Sequence, residues 1–270
     1  MSAIARAGTV ALVGCGRLGS AILEGWLKTG AVEARDLIIL TPSDKPAAEA
    51  ARAEGARINP PPAALAKARA LVLAIKPAMW RAALTPLAGD LNPETVVVSV
   101  MAGVTAADIG TLSDRPVARV MPTTAVAQAR GVAALWSDHP AARETARGLF
   151  AAMAEIVDLD LEAHIDVATA TAGSAPAFIH AFIQALARAG EAEGLTAEAA
   201  IRLARGALRS AGAGVETGEA LETLIARIAS PGGTTRAGLD AMTASGDLDR
   251  AAGAAISAAV KRARGIQRLA

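Results

Sequence analysis

Apolar residues in the first part of the chain fall in short runs separated by segments with helical spacing. Thr9–Val13, Leu37–Leu40, Ala70–Ile75 and Thr95–Val100 are rich in Val, Ile, Leu and Ala, and each is short enough for a buried strand. Val117–Val120, Val132–Leu135 and Glu155–Leu159 predict three further strands. Between them, Leu18–Lys28 carries Leu18, Ile22 and Trp26 on one side of a helix, and Lys45–Glu54 and Met79–Leu84 are Ala-rich helical segments. Strands alternating with helices predict a parallel sheet covered on both faces.

The pattern changes near Asp160. From there Ala177–Glu193, Thr196–Thr217, Ala220–Ala229, Thr234–Ser245 and Asp247–Leu269 all read as helices, punctuated by Gly194, Gly218 and Pro231-Gly232. The chain is therefore expected to divide into an α/β domain over 1–160 and an all-α domain over 161–270. Ala177–Ala189 holds Phe178, Ile179, Phe182, Ile183 and Leu186 with few polar interruptions. A helix apolar around so much of its circumference needs cover on more than one side. Its own helices supply that cover, or a second copy does. The abundant Ala, which lets helix backbones approach closely, favours a homodimer.

Composition then narrows the chemistry. Across 270 residues, 27 Lys and Arg oppose 26 Asp and Glu, so no basic footprint for nucleic acid is expected. No run of roughly 18 apolar residues lacks charge, so no membrane span is expected. Met1–Gly8 has no apolar run before a cleavage site, which points to the cytoplasm. One cysteine, Cys15, excludes an intrachain disulfide framework and a Cys-rich zinc site. His139, His164 and His180 have neither metal-ligand nor triad spacing, so no metal is expected. The reaction should need little acid–base machinery. Hydride transfer to a C=N bond fits, because a protonated imine already accepts hydride.

The sharpest local signal is Gly14-Cys15-Gly16-Arg17-Leu18-Gly19, which follows an apolar strand and opens a helix. In that place the first glycine permits a tight turn, the second lets backbone approach a pyrophosphate, and the third packs helix on strand. An NAD-specific site places an acid at the end of the second strand. Here Thr41-Pro42-Ser43-Asp44-Lys45 stands there, and Ser43 and Lys45 are suited to a 2′-phosphate, which favours NADPH with NADH as the alternative. Lys76-Pro77 follows another strand and faces the crevice where ligands bind, so Lys76 is a candidate for contact with phosphate, ribose or substrate. Ser99–Thr105 is a run of small residues suited to a backbone passing close to a nicotinamide, and Met121-Pro122-Thr123-Thr124 ends a later strand. In the helical half, Ser174 precedes Pro176 at a helix start. Ser230-Pro231-Gly232-Gly233-Thr234-Thr235 places two glycines and two hydroxyls at another helix start, either an anion site or a capped turn.

Together these segments resemble the pyrroline-5-carboxylate reductase family over nearly the whole chain. Gly14–Gly19, Lys76-Pro77, Ala102-Gly103-Val104-Thr105, Arg119-Val120-Met121-Pro122, Gly173–Pro176 and Ser230–Thr235 carry the resemblance. It implies an N-terminal Rossmann-like dinucleotide-binding domain followed by an all-α domain for dimerisation and substrate binding. It also implies interlocked dimers, assembled into a decamer in some members. The implied reaction is NAD(P)H-dependent reduction of 1-pyrroline-5-carboxylate to L-proline. By the same resemblance the substrate carboxylate lies on Gly232, Gly233 and Thr234, with Ser230 and Ser174 nearby. Thr235 meets the ring nitrogen, and Thr235 and Lys76 are the candidate catalytic residues. Gly14, Gly16, Arg17, Leu18, Gly19, Thr41, Ser43, Lys76, Pro77, Ala102, Gly103 and Thr123 line the cofactor. The chain departs from the family at Thr123-Thr124-Ala125, where Asn-Thr-Pro is usual, and at Ala175, where Gly is usual. It also lacks the usual His-Pro after Glu219. A related cyclic-imine or β-hydroxyacid oxidoreductase is the alternative, with a non-catalytic NADPH-sensing protein behind it.

Overall fold

Val10 and Leu12 point to one face of their strand and Ala11 and Val13 to the other, and all four are buried. Helices therefore have to cover both sides. The computed structural model describes residues 8–267. In it the sheet contains β1 (Thr9–Val13), β2 (Leu37–Leu40), β3 (Arg57–Ile58), β4 (Ala68–Leu73), β5 (Val96–Ser99), β6 (Val117–Pro122), β7 (Gly131–Trp136) and β8 (Ala154–Asp158). Their order is β3-β2-β1-β4-β5-β6-β7-β8. Helices α1 (Arg17–Thr29), α2 (Pro46–Ala53) and α5 (Pro140–Phe150) contribute Ile22, Trp26, Ala48, Ala146 and Leu149 to the core on one face. Helices α3 (Trp80–Ala88) and α4 (Ala106–Ser113) contribute Trp80, Leu84 and Ile109 to the other. The Trp26 indole N–H donates to the Leu149 carbonyl over 2.8 Å, which ties α1 to α5 inside the core.

The expectation of a parallel sheet holds from β3 through β6 and then fails. β7 runs antiparallel to β6, and β8 pairs parallel with β7. The reason is connection length. Only residues 123–130 lie between β6 and β7, and a parallel crossover takes a dozen or more. Among the described residues no strand follows β8.

The chain divides into two compact units. One comprises the chain up to Gly173 together with the chain from Ala259 onward, and the other is Ser174–Ala258. Helix α6 (His164–Ala168) leads into a π-helical turn, Thr169–Ser174, and then α7 (Ala175–Ala192). Pro176 has no N–H to give to a regular helix, and a π-turn just before it absorbs that loss. In the second unit α7 packs on α8 (Ala197–Val215), with Ile183 and Ala187 against Ala200 and Ala204. α9 (Leu221–Ile228) and α10 (Thr234–Thr243) follow, and then α11 (Asp247–Gln267), which belongs to this unit only as far as Ala258. Among the described residues no helix is long and apolar enough to cross a membrane.

Candidate active site

The turn from β1 into α1 is built for close approach. Gly14 has φ +94°, and a Cβ there would sit 2.5 Å from the Ala74 carbonyl oxygen. A Cβ at Gly19 would collide with the Gly14 carbonyl. A Cβ at Gly16 would meet nothing within 4 Å, so the space beside this glycine is open. Gly16 is the N-cap of α1 and offers no side-chain cap. The first N–H groups of α1, those of Arg17 and Leu18 among them, therefore face outward with no intrahelical partner. This arrangement fits a pyrophosphate. Cys15 is buried, with its thiol 3.4 Å from the Ser20 hydroxyl, as a loop filler would be.

At the end of β2, Thr41 is buried and its hydroxyl donates to the Ser43 carbonyl over 3.1 Å. Asn59 clamps the same residue. The Thr41 N–H donates to Asn59 Oδ1, and Asn59 Nδ2 donates to the Thr41 carbonyl, both at 2.9 Å. Asn59 stands at φ +46°, a conformation asparagine tolerates better than most residues. With the Thr41 hydroxyl engaged, the exposed Ser43 and the half-buried Lys45 remain as groups that can reach a ligand. Sequence reasoning did not single out Asn59. Its only signal is an Asn just beyond a two-residue strand.

The loops after β4, β5 and β6 all leave the same edge of the sheet as the glycine turn. Lys76 is exposed, and Pro77 opens a short 3₁₀ turn. Ala102 is half-buried, and Gly103 is buried with φ +69°. Thr105 caps α4, its hydroxyl accepting the Asp108 N–H over 3.1 Å. The Thr123 N–H donates to the Val132 carbonyl, and its hydroxyl accepts the Val132 N–H over 3.2 Å. The hydroxyl proton of Thr123 is thereby left to donate elsewhere.

In the helical unit, the Gly233 N–H donates to the Ser230 carbonyl over 3.1 Å, with Pro231 and Gly232 between them and Gly232 at φ +70°. Proline second and a left-handed glycine third is the pattern of a type II turn. It delivers the chain to α10 with Gly233 as N-cap and no side-chain cap. The expected alternative of a threonine-capped turn is thus not what forms. The Gly233 amide is spent on the turn, which leaves the Thr234 and Thr235 amides as the donors at the helix start. Ser230, Thr234 and Thr235 are exposed. Ser174 closes the π-turn before α7 and is half-buried. His139, His164 and His180 are all exposed, and among the described residues no cluster of His, Cys, Asp and Glu could hold a metal.

Residues 162–266 match the family model described as pyrroline-5-carboxylate reductase dimerisation, and residues 9–103 match NADP oxidoreductase coenzyme F420-dependent. The chain is 32% identical to the pyrroline-5-carboxylate reductase of Pseudomonas aeruginosa over 247 residues, covering 88% of this chain and 89% of that one. It is 30% identical to the Escherichia coli enzyme over 235 residues, 84% of this chain and 86% of that one. The solved pyrroline-5-carboxylate reductase of Coxiella burnetii superimposes with a TM-score of 0.86 at 26% identity, over 97% of this chain and 99% of that one. That of Plasmodium falciparum, solved with NADP bound, shares the fold with a TM-score of 0.78 at 22% identity, over 96% and 98%. The chain belongs to the pyrroline-5-carboxylate reductase family of oxidoreductases.

Proposed function

We infer that this protein reduces 1-pyrroline-5-carboxylate to L-proline, in the cytoplasm and as a homodimer. The observation that carries this reading is the uncapped start of α10. There the Ser230–Gly233 turn leaves backbone donors beside the Thr235 hydroxyl, a pairing suited to a carboxylate carried on the carbon next to a ring nitrogen. The Thr234 and Thr235 amides bind the carboxylate, with Gly232, Gly233, Ser230 and Ser174 shaping the pocket. The Thr235 hydroxyl accepts from the protonated imine and holds its orientation as charge is lost.

The glycine cradle and the neutral end of β2 suit NADPH. Gly14, Gly16, Arg17, Leu18 and Gly19 hold its pyrophosphate, and Ser43 and Lys45 its 2′-phosphate, on a turn that Thr41 fixes through its bond to the Ser43 carbonyl. Lys76, Pro77, Ala102, Gly103 and Thr123 line its nicotinamide half. When bound, the cofactor supplies the hydride. Domain roles follow: residues 1–160 bind dinucleotide, and residues 161–270 dimerise and bind substrate. NADPH oxidation with pyrroline-5-carboxylate, run beside a panel of other cyclic imines and 3-hydroxy acids, tests the reaction. A higher kcat/KM on another substrate would replace the assignment, and tight NADPH binding without any turnover would make the protein a sensor. Kinetics with each cofactor at matched substrate should favour NADPH, and a clear NADH preference would point to Asp44 as the ribose partner.

A further inference from the structure

Arg119 is the third residue of β6, an otherwise apolar strand, and only 4% of its surface is exposed. Its Nη1 donates to Glu162 Oε1 over 3.1 Å, and its Nη2 donates to the Met101 carbonyl over 3.4 Å. The same Glu162 oxygen accepts the Ala106 N–H, the first amide of α4, over 2.7 Å. On the other side of Met101, its N–H donates to the Ser99 hydroxyl. The segment 102–105 is therefore suspended between two anchored points, Met101 and Ala106, and both anchors meet at one arginine–glutamate pair.

Stability alone does not account for this pair. A well-packed apolar pair in its place is often neutral or stabilising, because burying the charges costs solvation. The arginine is also incompletely satisfied, since its Nε is buried with no hydrogen-bond partner. What the pair does supply is a fixed path for the loop that carries Ala102 and the left-handed Gly103.

We propose that Arg119 and Glu162 are positioning residues that set the Met101–Ala106 loop at the height where it seats the nicotinamide ring. The proposal rests on the reading that this loop lines the nicotinamide. A carboxylate at the start of α4 is held there both by the arginine and by the positive end of the helix. Loosening it should misplace the ring without disturbing the adenosine end of the cofactor, which the glycine turn holds.

The test compares Glu162→Gln and Arg119→Lys with wild type by four readouts: kcat, its isotope effect with 4-deuterated NADPH, affinity for NADPH, and affinity for 2′-phospho-ADP-ribose, which lacks the nicotinamide. Weakening a charge-assisted bond should lower kcat by about tenfold. The isotope effect should rise as hydride transfer becomes slower than release. Affinity for 2′-phospho-ADP-ribose should stay unchanged while the extra affinity contributed by the nicotinamide falls. In the unliganded protein, hydrogen exchange at the Ala106 amide should accelerate. Unchanged kcat and isotope effect would overturn the proposal. So would a parallel loss of both affinities and of Tm, or the failure of both variants to fold, since either makes the pair a stability device. Wild-type protein that binds neither nucleotide would overturn the cofactor reading itself, and this proposal with it.

Discussion

A side chain at Gly16 has room within the protein: its backbone is at φ −75° and ψ −163°, open to any residue, and nothing lies within 4 Å of a Cβ there. Cofactor binding and folding can therefore be separated at this position. Gly16→Val should lower Tm only slightly, by the roughly 1 kcal/mol that a poorer N-cap costs, while filling the space a pyrophosphate would use. Loss of two charge-assisted bonds corresponds to NADPH binding weaker by about two to four orders of magnitude, measurable by fluorescence titration. Gly14→Ala cannot make that separation, because it adds strain at φ +94° to a clash with the Ala74 carbonyl. Thr235 offers the matching test for substrate. A hydrogen bond to a charged group contributes roughly 1.5–3 kcal/mol, so Thr235→Ala should lower kcat/KM by about one to two orders of magnitude. NADPH affinity should hold, and Thr235→Ser should keep most activity. If Thr234→Ala abolishes turnover while Thr235→Ala does not, the roles of the two threonines are exchanged. At this scale the glycines and the Pro-Gly-Gly-Thr-Thr turn were legible because each is a run of residues with one backbone purpose. Asn59 and Glu162 were not, since each acts on a residue far along the chain, Thr41 in one case and Arg119 and Ala106 in the other.

Helix α7 presents two apolar stripes with different fates. Ile183 and Ala187 are buried against α8 within the chain itself, Ile183 at 8% exposure. Phe178, Ile179, Phe182 and Leu186 stay open, Phe182 at 43%. Of the two kinds of cover, the chain's own helix α8 supplies the one on the Ile183 side, and the other stripe is left open. Ile183→Asp places an unpaired charge in the α7–α8 contact and should prevent soluble folding. Phe182→Asp should abolish the dimer, read by light scattering, and lower helical content with it, because the open face of the helical unit then has no cover. A Phe182→Asp protein that remains dimeric would place the interface elsewhere. Elements with a strong apolar run were read closely, β1 and β2 to the residue. β3 has only Arg57 and Ile58, too short to show a period, and α4, α5 and α6 are short helices of 8, 11 and 5 residues that the sequence reading did not place. The reversal at β7 was present in the sequence as a connection too short for a crossover.

The whole chain combines a sheet unit covered on both faces with a helical unit that leaves large apolar side chains uncovered. Besides the α7 stripe, Leu203, Val215, Leu221, Ile225 and Ile228 are exposed in the helical unit. Surface of that kind marks an interaction site rather than a monomer's exterior. The region also lies within the stretch matching the dimerisation family model. If folding of the helical unit depends on a second copy, unfolding and dissociation occur together, and stability then depends on protein concentration. A hundredfold rise in concentration adds about 2.7 kcal/mol per dimer. Spread over the unfolding entropy of two chains, that should raise Tm by about 2–3 °C, read by calorimetry across a dilution series. A monomer that folds alone gives a Tm independent of dilution. A concentration-independent Tm for wild type, together with a folded monomer at low micromolar concentration, would overturn the obligate dimer. The exposed stripe would then belong to an interaction with something other than a second copy.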